Sequence, residues 1–182
     1  MTETQKKTTW TIDPSHSEIA FKARHLMITN VKGSFSEYSG SVESSGTNFE
    51  NAEVSFSMAP SSINTGDQKR DEHLKSADFF DVENYKEITF SGHTVKKDNE
   101  GKYGLKGDLT ILGKSNPIEL EAEFLGLAKD PWGNSKAGFE IKGSINRKEW
   151  GLNWNQTLET GGVLVSEKIN IACEVQLLQD AE

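Results

Sequence analysis

Apolar and polar residues alternate with a period of two along most of this chain. Successive side chains of a β-strand point to opposite faces, so this alternation predicts strands with one apolar and one polar face. The pattern is clear at residues 19–27, 53–58, 105–111, 119–124, 139–146 and 168–177, and weaker strands are predicted at Lys32–Glu43 and Lys86–Lys97.

Short turn sequences such as Asp13-Pro14-Ser15 separate these strands. Strands with one wet face and short connections pair antiparallel, because parallel strands need long crossovers. Roughly eight such strands can form a sandwich or a closed barrel. Glycines inside strands favour the strong bends of a closed barrel; they are Gly40, Gly92, Gly107 and Gly143. We therefore predict an all-β, antiparallel, eight-stranded barrel, which is wide enough to hold one small elongated ligand.

One segment departs from the alternation. Thr65 followed by Gln68 resembles a capping box, and Asp71 and Lys75 form a favourable i,i+4 pair. These features predict one short helix over about residues 66–77. No shift in composition and no repeat divides the chain, so we expect a single domain over residues 9–178 behind a disordered tail of residues 1–8.

Composition excludes several classes of protein. The net charge of −8 argues against a nucleic-acid partner, which would need a basic surface. No stretch approaches the roughly 20 apolar residues of a membrane span. The first residues lack the apolar core of a signal peptide, which predicts a cytoplasmic protein, or a periplasmic one if an export signal has been removed. The single cysteine, Cys173, allows no intrachain disulfide and no cysteine-rich zinc site.

The polar residues offer few candidates for chemistry. No histidine pair has metal-binding spacing, and no nucleophile elbow, phosphate loop or zinc-protease motif occurs, so we expect no metal, no cofactor and no catalytic residue. His25 stands out because it lies in an inward apolar series, where it could meet a ligand head group. Arg70, Asp71 and His73 form the densest polar cluster. They could clamp an anionic head group, or they could be the ordinary solvated charges of a helix.

Two large aromatic residues, Trp150 and Trp154, follow a predicted strand and Arg147. Core packing and the mouth of a pocket explain them equally well, because an indole ring offers apolar area together with one hydrogen-bond donor.

Several segments together resemble the YceI-like family of lipid- and polyisoprenoid-binding proteins. The most specific is Arg70–Val82 (RDEHLKSADFFDV), then Trp10–Ser17 (WTIDPSHS), and Ile145–Leu152 (INRKEWGL) also matches. The resemblance covers about residues 9–178. The chain departs from the family at Tyr85, which Lys86 follows where the family often has proline, and it lacks the export signal of many relatives.

The resemblance implies a lipocalin-like barrel with a helix over it, a homodimer, and an elongated apolar cavity for a polyisoprenoid or another long-chain lipid. No enzymatic activity is established for that fold. The inward alternation and the resemblance together predict a ligand-binding wall of Phe21, His25, Phe35, Phe90, Leu109, Ile111, Phe139, Ile141, Ile145, Trp150 and Trp154.

Three hypotheses follow. The first is a non-catalytic carrier for an isoprenoid or fatty-acyl amphiphile. The second is an enzyme acting on such a lipid through His25, Arg70, Asp71 and His73. The third is a stress-linked interaction module with a filled barrel. The volume and lining of the barrel interior distinguish them.

Overall fold

The computed structural model describes residues 6–159 and 162–181, and eleven strands and one α-helix lie within them. All strand pairs are antiparallel. The elements are β1 (Lys7–Ile12), β2 (Glu18–His25), β3 (Thr29–Phe35), β4 (Tyr38–Ser45), β5 (Asn48–Met58), β6 (Ile63–Asn64), α1 (Gln68–Lys75), β7 (Ile88–Lys96), β8 (Lys102–Ile111), β9 (Lys114–Lys129), β10 (Ser135–Asn146) and β11 (Val165–Gln179).

Eight of these strands close into a barrel. The hydrogen-bonded order runs β1-β4-β5-β7-β8-β9-β10-β11, and β11 returns to β1 through the pair Thr11 and Leu178. This ring confirms the predicted barrel and excludes the sandwich, because a sandwich leaves its two sheets unjoined at their edges.

The barrel carries a three-strand extension. β11 is 15 residues long and pairs with β1 near its carboxyl end and with β2 along the rest of its length. A short 3-10 turn at Pro14–His16 lets the chain leave one pairing and begin the other. β3 then pairs with β2, and β6 pairs with β3. Within the described residues β6 has no further strand partner, so the hydrogen-bonded wall stops beside α1, which follows it.

The barrel interior is closed by aromatic side chains at one end. Trp10 is fully buried, lies 5.2 Å from the ring of Phe49, and donates a hydrogen bond of 2.8 Å to Ser44. Phe49 in turn meets the Phe139 ring edge-on at 4.9 Å. At the other end, Trp150 is also fully buried and donates to the Leu109 carbonyl at 2.8 Å. Each indole thus fills the core while its only donor is satisfied.

Two glycines allow β7 and β8 to approach each other closely. Gly92 and Gly107 stand opposite each other in the pairing. A Cβ atom on Gly92 would lie 2.2 Å from the Lys106 carbonyl oxygen, and one on Gly107 would lie 2.3 Å from the Ser91 carbonyl oxygen. Both positions therefore require glycine, as expected where the backbone of a barrel bends sharply.

The helix lies inside its predicted limits, but its cap differs from the prediction. Asp67 is the N-cap and accepts a 3.1 Å hydrogen bond from the Arg70 amide. Thr65 instead bonds to the Asp71 side chain, so the predicted capping box at Thr65 and Gln68 is wrong. The reason is that an aspartate closer to the helix competes better for the free amides of the first turn.

The predicted limits of the domain meet the structure at its start. β1 begins at Lys7, inside the predicted tail of residues 1–8, and the rest of that tail through residue 5 lies outside the described residues. Of the helical segments described, none has the length and apolar character to cross a bilayer.

Candidate functional site

The barrel encloses a cavity of about 170 Å³. Its wall is built from the inward-facing residues of the barrel strands and of β2, because alternate side chains of each strand point to the axis. The wall includes Ile12, Ile19, Val42, Phe49, Val54, Phe56, Met58, Phe90, Leu105, Leu109, Ile118, Leu120, Ala122, Phe139, Ile141, Ile171, Cys173, Val175 and Leu177.

No charged residue lines this cavity, and its polar residues are Ser41, Ser55 and Thr94. The Thr94 hydroxyl donates to the Phe49 carbonyl and accepts a 2.9 Å hydrogen bond from the Ala52 amide. In the described part of the chain, every buried side-chain nitrogen or oxygen has a hydrogen-bond partner. The cavity therefore offers a hydrocarbon contact area but no charge to fix a polar group.

Cys173 behaves as part of this apolar wall. Burial raises the pKa of its thiol to about 11, because the thiolate would lose its hydration. The side chain is 7% exposed and remains protonated near neutral pH. It therefore contributes a small apolar group rather than a nucleophile.

The cavity volume separates the alternatives. A water needs roughly 10–15 Å³ of such space, so about 170 Å³ is far more than a few waters fill. An engineered apolar cavity of about 150 Å³ stays dry and binds benzene. The space in this barrel thus accommodates about six carbons, close to one isoprene unit. A longer tail must extend between side chains, and the wall includes the flexible Met58 and the half-buried Phe56.

The structure separates the residues predicted to form the wall into three groups. Phe90, Leu109, Phe139 and Ile141 lie on the cavity wall. His25 is half-buried at the end of β2 and lies outside that wall. The others are core residues packed around the cavity rather than facing it, namely Phe21, Phe35, Ile111, Ile145, Trp150 and Trp154. A role for any of them in ligand contact stays a prediction.

Several wall residues were absent from the predicted set. Val54, Phe56 and Met58 share one face of β5, and Ile171 and Cys173 share one face of β11. The same alternation had already assigned them to the inner face of their strands. The height of a residue along the barrel axis could not be read from the alternation, so the choice among inward residues was arbitrary.

Aromatic side chains cover the helix end of the barrel. The Trp154 ring lies 4.6 Å from the His73 ring and 5.4 Å from the Phe79 ring. Phe35 similarly bridges Phe21, at 5.7 Å, and Phe80, at 6.1 Å. These contacts attach α1 and the segment after it to the barrel. Trp154 is thus a partly buried packing residue of the end that α1 covers.

The predicted head-group residues are engaged in contacts within the chain. Arg70 donates through Nε to the Thr65 hydroxyl at 2.7 Å and through a terminal nitrogen to the Thr65 carbonyl at 2.8 Å. The Asp71 carboxylate accepts from the Thr65 hydroxyl at 2.6 Å and from its amide at 2.9 Å. His73 instead lies 2.9 Å from the Asp78 carboxylate. Arg70 and Asp71 therefore hold the loop before α1, and none of the three residues lines the cavity.

Arg147 is a structural cation that the sequence analysis left without a role. It is 2% exposed and donates to the carbonyls of Leu152 at 2.5 Å, Ser166 at 2.9 Å and Val165 at 3.3 Å. Burial lowers the pKa of this guanidinium. Its hydrogen bonds fix the segment that follows Trp150 against the start of β11.

The turn between β1 and β2 is fixed by a second polar network. Asp13 accepts from the Ser15 hydroxyl at 2.6 Å, lies 2.9 Å from His16 and lies 3.4 Å from the Lys136 ammonium. These contacts, the Ser15 hydroxyl first, hold the pKa of the Asp13 carboxyl well below its usual range. No group of three or more His, Cys, Asp or Glu side chains placed to hold a metal ion occurs within residues 6–159 and 162–181.

Comparison with known proteins identifies close matches. The family described as YceI-like domain matches residues 10–177. A UPF0312 protein of Staphylococcus aureus strain USA300 is 39% identical over 170 residues, which are 93% of this chain and 96% of the relative. The crystal structure of the Campylobacter jejuni YceI protein is 35% identical, with a TM-score of 0.74 over 87% of this chain and 90% of that one.

Two more distant structures share the fold. Burkholderia cenocepacia BcnA is 18% identical, with a TM-score of 0.76 over 91% of this chain and 98% of that one. A polyisoprenoid binding domain from Saccharophagus degradans is 13% identical, with a TM-score of 0.70 over 94% of this chain and 98% of that one. At these identities the likeness shows the barrel architecture alone.

Proposed function

The chain belongs to the YceI-like family, and from this membership we propose that it is a non-catalytic binding protein for an isoprenoid or a fatty-acyl amphiphile. The single observation that carries the proposal is the enclosed cavity, whose wall has no charged residue. Such a wall favours a hydrocarbon tail over any polar solute, because a polar group inside it would lose its hydration without gaining a partner.

The energetics set the length of tail that is needed. Burial contributes about 0.8 kcal/mol per methylene, so the six or so carbons that fit contribute about 5 kcal/mol. Association itself costs at least about 4 kcal/mol. Useful affinity therefore requires a longer tail that widens the cavity, or a head group recognised outside it. Because one methylene changes binding by only about 1–3 kcal/mol, we expect tolerance for tails of different structure.

The ligand class also has support from a related fold. The Saccharophagus degradans domain is described as polyisoprenoid-binding, and its barrel superposes on most of this chain. An isoprenoid is a suitable occupant on physical grounds as well, since each unit adds five carbons and buries apolar area without a polar group.

The enzyme hypothesis is less well supported by the arrangement of its four residues. Arg70 and Asp71 share Thr65 as a partner, His73 bonds to Asp78, and none of these groups faces the cavity. His25 is likewise outside the wall. General acid–base catalysis needs its groups within hydrogen-bond reach of the substrate. The filled-barrel hypothesis is disfavoured by the volume of the cavity.

Lipid extraction and mass spectrometry test this proposal. Protein purified from cells, or incubated with a series of polyprenols and fatty acids, should carry one lipid chain per barrel, and affinity should rise with chain length. Recovery of the lipid chemically unchanged supports a binding role. A lipid that is converted by the wild type but not by a His73→Gln variant would support the enzyme hypothesis. Failure to take up any long-chain lipid would refute the binding proposal.

The predicted homodimer and compartment remain part of the proposal. Sedimentation velocity tests the dimer, with a monomer at all concentrations as the contrary result. Cell fractionation separates the predicted cytoplasmic location from a periplasmic one, and growth of a deletion strain under stress tests the stress-linked role.

A further inference from the structure

The turn between β2 and β3 carries three apolar residues at an exposed tip. Leu26 is 39% exposed, Met27 is 55% exposed and Ile28 is 78% exposed. The tip is attached to the body of the protein by one hydrogen bond, from the Leu26 amide to the Leu164 carbonyl at 2.9 Å. We define these three residues as the hairpin tip.

Neither burial nor backbone preference explains the apolar residues of the hairpin tip. Leu26 and Met27 have φ angles of 53° and 61°, in the left-handed region. Tight hairpin turns with that backbone favour asparagine, aspartate and glycine, which adopt it with least strain. Solvent-exposed leucine, methionine and isoleucine at this turn therefore add nothing to folding that a polar residue would not add. Their apolar area is available for contact with a partner.

Cations lie on the outer face of the sheet next to the hairpin tip. Lys22 and Arg24 alternate with the inward residues of β2, and Lys32 stands directly opposite Lys22 on β3. Lys168 lies outward on β11 beside this face, because its neighbour Ile169 pairs with Ala23. We define these four residues as the basic face.

The basic face is not neutralised within the protein. No carboxylate of the described chain forms an ion pair with any of its four residues, although nearby Glu167 pairs with Lys148 at 2.8 Å. Lys22 and Lys32 face each other as like charges, an arrangement that is unfavourable unless an anion lies against it. This local excess of positive charge occurs on a chain whose net charge is −8.

From this combination we propose that the hairpin tip and the basic face dock the protein on a bilayer that contains anionic phospholipids. The apolar tip enters the interfacial region, and the ammonium and guanidinium groups contact the lipid phosphates. Both contributions are of the kind that hold peripheral proteins on membranes. The proposal goes beyond the cavity and does not depend on what the cavity binds.

The docking end is also the end of the barrel that α1 covers. The tip follows the last residues of β2, whose partner Val165 begins β11, and Arg147 holds that same start of β11. The aromatic cluster of Trp154, His73 and Phe79 belongs to the adjoining segments. Docking here would bring the covered end of the cavity, rather than the end closed by Trp10, towards the lipid.

Vesicle co-sedimentation tests this docking with purified full-length protein. The vesicles contain phosphatidylcholine alone or phosphatidylcholine mixed with phosphatidylglycerol. The wild type should bind the mixed vesicles, and added salt should weaken that binding because it screens the contacts to phosphate. A Met27→Asn, Ile28→Thr double variant should bind about tenfold more weakly or worse, because it removes most of the apolar area of the tip. A Lys22→Gln, Lys32→Gln variant should lose about fivefold per cation.

Matched controls replace equivalent residues elsewhere on the barrel. The apolar control is Leu125→Thr with Trp132→Asn, which are 60% and 84% exposed on β9 and the turn after it. The charge control is Lys96→Gln with Lys106→Gln, which are exposed on β7 and β8 across the barrel. Both controls should bind mixed vesicles like the wild type. Circular dichroism confirms that each variant is folded.

Three results would overturn the docking proposal. They are equal binding of the wild type to both kinds of vesicle or to neither, unchanged binding by the tip variant, and equal losses in the controls. A dimer that the tip variant alone disrupts, without vesicle binding, would assign the tip to a second copy of the chain. Because lipid uptake from solution is measured separately, failure of docking leaves the cavity proposal standing.

Discussion

Val54 offers a direct way to fill the cavity. Its side chain is half-buried on β5, lines the cavity, and pairs across the sheet with Val42 on one side and Gly92 on the other. Replacing it with phenylalanine adds about four carbons on the inner face of the wall. The added ring would occupy much of a space that holds about six carbons.

The expected loss of affinity follows from the displaced hydrocarbon. If the new ring excludes four methylenes of the ligand at about 0.8 kcal/mol each, binding weakens by about 3 kcal/mol, or roughly a hundredfold. Folding should change less, since the ring enters empty space, and any overpacking should cost no more than about 1–3 kcal/mol.

Displacement of a fluorescent prenyl probe measures the affinity, and thermal unfolding measures stability in parallel. Val82→Phe is the matched control, because Val82 is also half-buried but does not line the cavity. The control should bind the probe like the wild type. If Val54→Phe melts normally and still binds the probe as tightly as the wild type, the tail does not occupy this cavity.

Three further predictions concern folding and side-chain chemistry. Gly107→Ala should destabilise the protein by several times the roughly 1 kcal/mol of an ordinary substitution, because its Cβ would lie 2.3 Å from the Ser91 carbonyl oxygen; urea unfolding checks this, with Gly46→Ala as a control whose Cβ meets no atom within 4 Å. Asp13 has a lowered pKa in the folded state, so it stabilises the fold above its unfolded pKa of about 4, and that contribution is lost as the pH falls through and below this value; Asp13→Asn should flatten the acid limb of stability against pH, and an unchanged limb would contradict this. Cys173, with a pKa of about 11, should react with a thiol reagent only upon unfolding, so rapid labelling of the native protein at neutral pH would show that the wall is open.

The fold was predictable because a barrel strand carries its signature in a few neighbouring residues. The alternation at Ile169–Leu177 predicted one apolar face, and the structure places that face towards the barrel interior. The segment around Arg70 likewise predicted α1, although Asp67 rather than Thr65 is its cap. The closure of the ring was predictable only as a preference, since it depends on the pairing of β1 with β11 across the whole length of the chain.

The candidate site was predictable only in part. Phe90 and Leu109 were assigned to the wall and line it, whereas Trp150, assigned on the same grounds, is fully buried in packing. The sequence specifies which face of a strand a residue occupies but not its height along the barrel axis. That height follows from the stagger between strands, which the sequence pattern does not encode locally.

The polar cluster before and within α1 shows the same division. The sequence by itself determined that Arg70, Asp71 and His73 lie on one short helix, because helical spacing is a local property. Only the tertiary structure decided that Arg70 and Asp71 both bond to Thr65 and that none of the three faces the cavity. Strand faces and helix limits depend on residues a few positions apart, whereas the cavity depends on side chains brought together from strands far apart in the chain.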